Sequence, residues 1–162
     1  ALKRLEERGV MKHETAGKNK PYFLNVDNLV TKEYLKNAES VRKIKLLEKH
    51  HVIKKLLTEL SPELKNTPLI LFGSYVKGEE KKGSDIDILL IKNSNEVGII
   101  SEINEFSKRH NITIQLQKTT QEQFEAGIKE KDNLVVEIIK NHVTLNNAEM
   151  FVDVLWRYFN AR

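Results

Sequence analysis

Leu69-Ile70-Leu71-Phe72-Gly73-Ser74, followed after ten residues by Asp85-Ile86-Asp87-Ile88-Leu89-Leu90-Ile91, is the stretch on which the reading of this 162-residue chain turns. The apolar runs read as strands, with a glycine-serine bend closing the first. Side chains on a strand alternate faces, so Asp85 and Asp87 project together while Ile86 and Ile88 go to the other side. Aspartate is disfavoured in strands, and two carboxylates held side by side near an apolar sheet repel each other and resist desolvation. A divalent cation removes both penalties, and hard carboxylate oxygens suit Mg²⁺. Gly73 lets backbone approach a ligand closely, and Ser74 with neighbouring amides is suited to a phosphate if a helix begins there.

These residues, together with Ser84 before the acid pair and Tyr75, Lys77 and Gly78 after the serine, resemble the signature of the nucleotidyltransferase superfamily. The likeness is strongest to the minimal nucleotidyltransferases of prokaryotes. It implies an α/β (α+β) domain, a small mixed sheet flanked by helices. It also implies that Gly73 and Ser74 grip the phosphates of a nucleoside triphosphate and that Asp85 and Asp87 hold Mg²⁺. Lys77 reads equally as a phosphate contact or as a solvated loop lysine. The resemblance further implies an acceptor hydroxyl on a protein (often a paired toxin), a nucleic-acid end or a small molecule.

The superfamily carries a third carboxylate on a later strand. Here that strand is Asn111–Gln117, which alternates Ile112, Ile114 and Leu116 with Thr113, Gln115 and Gln117. Gln115 is the expected equivalent. An amide ligates a cation weakly and cannot act as a base near neutral pH. Three outcomes stay open: transfer with two carboxylates, substitution by Glu122 or Glu125, or nucleotide binding without transfer.

The chain has no cysteine, no apolar run long enough to span a bilayer and no signal-peptide pattern, which points to a cytoplasmic protein. It opens on Ala1 and not on Met, which leaves room for native residues before it. Net charge is +4, and residues 1–67 hold 15 Lys/Arg against 9 Asp/Glu, whereas residues 68–162 hold 12 against 14. The basic excess therefore precedes the acid strand, which suggests either a nucleic-acid partner or a solvated lysine-rich helix.

Leu2–Gly9 reads as a helix end, Val10–Glu14 as a short strand, Thr15–Lys20 as a polar turn, and Pro21–Val26 as a return strand. This run resembles the second half of a winged helix-turn-helix DNA-binding domain. The resemblance places Lys18 and Lys20 at the wing tip and Lys3, Arg4 and Arg8 near a recognition helix. From an N-cap at Thr31, apolar residues recur at helical spacing to about Leu60, predicting one long helix that bridges to the catalytic part or pairs with a second copy. His50 and His51 lie mid-helix and read as surface residues, since neighbours in sequence do not share a helix face. Ser61-Pro62 and Thr67-Pro68 mark its exit. The expected organisation is a winged-helix-like segment at 1–30, a linking or dimerising helix at 31–66 and a nucleotidyltransferase-like domain at 67–162.

Beyond the acid strand the pattern predicts a turn at Asn93–Asn95 and a helix over Glu96–His110 with Val97, Ile100, Ile103 and Phe106 inward. Two further helices follow, then an extended piece at His142–Leu145 and a last helix whose Trp156 packs in the core. The leading functional expectation is Mg²⁺-dependent nucleotidyl transfer. Its rival is a DNA-binding transcriptional regulator whose nucleotidyltransferase-like domain senses nucleotide or dimerises.

Overall fold

The computed structural model describes residues 2–15, 17–92 and 96–160. Its centre is a sheet in the order β5-β4-β3-β6, built from β3 (Leu69–Phe72), β4 (Ile86–Ile91), β5 (Ile114–Thr119) and β6 (Val143–Asn146). β3 pairs antiparallel with β4 and β6, and β4 pairs parallel with β5, so the sheet is mixed. β3 is buried throughout because both faces of the sheet are covered. On one face Leu69, Leu71, Ile86, Ile88 and Leu90 pack with α3 (His51–Leu64) and α5 (Glu96–His110). On the other, Ile70, Phe72, Leu89 and Ile91 pack with α6 (Gln121–Glu130), α7 (Asn133–Lys140) and α8 (Ala148–Asn160). The α/β expectation holds, with helices on both faces of a small mixed sheet.

The predicted single long helix is two helices. α2 runs from Leu29 to Lys49 and α3 starts at His51, with His50 (φ −118°, ψ 89°) outside helical geometry while its N–H still reaches the Leu46 carbonyl. The cause is side-chain burial. His50 is drawn inside against Tyr75, with ring centroids 5.3 Å apart at 73°, and is not the surface residue expected; His51 is exposed. The break lets Ile53, Leu56, Leu60 and Leu64 of α3 pack on the sheet while α2 lies against α8 and β6. Each such side chain, fully buried, contributes roughly 1.5–3 kcal/mol. Pro62 falls inside α3 and does not end it.

Asn28, not Thr31, caps α2: its side-chain oxygen accepts from the Val30 N–H at 3.0 Å. Thr31 sits in the first turn, fully buried, and its hydroxyl donates to the Val10 carbonyl. In α5 the inner stripe is Ile99, Ile103 and Phe106, and Val97, expected inward, is 80% exposed. The turn expected at Asn93–Asn95 lies outside the described residues, as does Ala16 of the hairpin turn. Trp156 is buried, as expected of a core residue.

The N-terminal hairpin is present. β1 (Met11–His13) pairs antiparallel with β2 (Tyr22–Leu24), and α1 (Leu2–Glu7) precedes it, ending where Gly9 takes φ +67°. No helix among the described residues is long and apolar enough to cross a membrane.

Candidate active site

β3 delivers the chain to Gly73 at one end of the sheet, and β4 enters beside it, with Phe72 opposite Asp87 in the ladder. Gly73 has φ +74° and ψ −151°, a conformation that side chains oppose, and it caps the four-residue helix α4 (Ser74–Lys77). A Cβ built on Gly73 would lie 2.1 Å from an Asp87 carboxylate oxygen. The bend and the acid are thus in direct apposition, and glycine is what permits it.

Asp85 immediately precedes β4 and Asp87 is its second residue. Ile86, between them, is buried in the α3/α5 face, so the acids turn the other way together. Burial raises the Asp87 carboxyl above the ordinary aspartate range, and the neighbouring charge of Asp85 raises it further. Parallel pairing sets Gln115 opposite Asp87, and the Gln115 amide donates to Asp85 Oδ2 at 3.3 Å. The strand expected to carry a third carboxylate therefore does reach the acid pair, with an amide at its tip.

The donor set fits a divalent cation: two carboxylates, one partly desolvated and opposed by the charge of the other. Among the described residues no group of three or more His, Asp or Glu side chains is arranged to hold a metal ion. Glu125 is engaged by Arg157 at 2.8 Å and by Gln121, and Glu122 is drawn down by its own backbone and by the Thr120 hydroxyl. Neither is brought to Asp85.

Lys77 forms a 2.6 Å ion pair with Glu137 of α7, which raises its ammonium above the ordinary lysine value. Nothing local in the sequence pointed to Glu137, because the pair links α4 to a helix far along the chain. Glu80 accepts from Lys49 at 3.1 Å and lies 3.8 Å from His50. Of the basic N-terminal residues, Lys3, Arg4, Lys18 and Lys20 are exposed, while the Arg8 guanidinium bonds the Tyr34 hydroxyl on α2.

Residues 53–149, more than half of the chain, match the family model described as a nucleotidyltransferase domain. The chain belongs to that family. Among solved structures it is similar to a crystal structure of a toxin-antitoxin with AMP-PNP, at 17% identity and a TM-score of 0.42, over 68% of this chain and 87% of that one. A comparison with curated proteins gives no match.

Proposed function

We propose that this protein is a Mg²⁺-dependent nucleotidyltransferase that moves a nucleoside monophosphate from a nucleoside triphosphate to an acceptor hydroxyl. The observation that carries the reading is the apposition of Gly73 to Asp87, with Asp85 alongside. Asp85 and Asp87 are the residues that would hold the cation, which when bound offsets phosphate charge at the reacting centre. Gly73 and Ser74 orient the phosphate tail at the bend. The acceptor oxygen forms a bond to the α-phosphorus as the bond to the bridging oxygen breaks, and pyrophosphate leaves in line. The hydroxyl proton goes to Asp85, Asp87 or water, since the Gln115 amide cannot take it.

The test is consumption of an α-labelled nucleoside triphosphate with and without magnesium. The label is expected to leave the triphosphate only with the metal, and Asp85→Asn with Asp87→Asn is expected to lower the rate by at least about a hundredfold. Unchanged turnover in the double variant would remove the proposal.

A specific observation favours a second reading. Gln115 already donates to Asp85, an arrangement suited to a site that binds nucleotide without transferring it. A DNA-binding regulator of this kind would use exposed Lys3, Arg4, Lys18 and Lys20. It would retain salt-dependent duplex binding in the double aspartate variant while showing no transfer.

A further inference from the structure

A second candidate site lies in the part of the chain that the family match leaves out. A cavity of about 320 Å³ opens between β2, α2 and α8, walled by Leu24, Leu35, Phe151, Leu155, Trp156 and Phe159. Of the residues lining it, only Ile139 and His142 fall within residues 53–149. The cavity is therefore built almost wholly from what this chain adds to the nucleotidyltransferase domain.

Its polar groups are concentrated at one place. Glu39 is 7% exposed, and both of its oxygens are engaged: Oε2 accepts from the Thr144 hydroxyl at 2.8 Å, while Oε1 accepts from Arg42 Nη1 at 2.9 Å and lies 3.2 Å from His142 Nε2. His142 is also buried, with Nδ1 set against the Ile138 and Ile139 carbonyls. The negative charge of Glu39 is thus matched within the protein and offers little to a ligand. Arg42 differs. Its side chain is 40% exposed and commits Nη1 alone, leaving Nε and Nη2 without a partner among the described residues.

The geometry points to a binding site for a small amphiphilic monocarboxylate, its apolar body in the cavity and its carboxylate on the free edge of the Arg42 guanidinium. Guanidinium and carboxylate pair through two parallel N–H···O bonds, and the free edge presents that fork. A cationic ligand would meet Arg42 as a like charge. A neutral apolar one would gain burial but leave those donors unpaired.

Trp156 is the only tryptophan in the chain and lines the cavity, so its emission reports occupancy directly. The experiment titrates the full chain with octanoate below its micellar range, with octanamide as the uncharged control. Octanoate is expected to change the emission saturably at submillimolar concentration. Octanamide is expected to bind at least about tenfold more weakly, the difference a charge-assisted pair makes. Arg42→Gln should weaken octanoate by a similar factor while leaving octanamide unchanged. Ala38→Phe, at an exposed wall position that tolerates a larger side chain, should weaken both. Equal affinity for the two probes, or no saturable change with octanoate, overturns the assignment. Emission that depends on protein concentration without ligand would place a second copy over the cavity and overturn it as well.

Discussion

Gly73 is the residue at which backbone conformation and chemistry meet. Alanine there would be strained by the positive φ and would drive its methyl carbon onto the Asp87 carboxylate. Gly73→Ala is expected to destabilise the fold by about 1–3 kcal/mol and to reduce triphosphate turnover much more than unfolding accounts for. Chemical denaturation and the labelled-nucleotide assay, run on one preparation, separate the two effects. Asp87 makes the opposite prediction for stability. Its folded carboxyl is raised, so at neutral pH its charge works against the metal-free fold, and that penalty is relieved as pH falls through the raised value. Asp87→Asn should therefore raise Tm without magnesium and should abolish the rise in Tm expected when magnesium is added to the parent. Differential scanning calorimetry with and without the metal checks both halves.

Among the elements, α4 is the most dependent on its neighbours. At four residues it is too short to stand alone, and it is tied to α7 by Lys77–Glu137 and backed by the packing of Tyr75 on His50. The Lys77–Glu137 pair is partly solvated, so it contributes little to stability. Its importance is in where it directs a cation beside the Gly73-Ser74 bend. Glu137→Gln releases that ammonium, and the expected outcome is a lower KM for the triphosphate with a nearly unchanged denaturation midpoint. A KM that does not move would place Lys77 outside the phosphate site. The joint between α2 and α3 follows the same logic: no proline or glycine marks it, and the helix gives way because burying four apolar residues of α3 outweighs one turn of regular backbone.

Across the whole molecule, Glu39 binds the part before the family domain to the sheet itself. Burial opposes its charge, but the His142 ring, the Thr144 hydroxyl and the Arg42 guanidinium together bring its carboxyl down to about 2. A carboxylate lower in the folded than in the unfolded chain stabilises above its unfolded value and loses that contribution as pH falls towards the folded one. Stability is therefore expected to drop between roughly pH 5 and pH 2, and Glu39→Gln should flatten that part of the curve while lowering stability at pH 7. Urea midpoints across the range measure it.

Much of this was legible in the order of residues alone. Period-two alternation and apolar runs mark β3, β4 and β5. Residues two apart on an extended chain face the same way, which puts Asp85 beside Asp87, and alternation leaves Thr113, Gln115 and Gln117 on the polar face of the later strand. These features depend only on neighbours in the chain. The tertiary structure decided what depends on distant partners: that His50 turns inward and breaks a helix, that Glu137 takes Lys77, and that Glu39 meets Thr144 across the molecule. Those outcomes are set by which surfaces are buried against each other, and local propensity carries no record of a partner that only folding brings near.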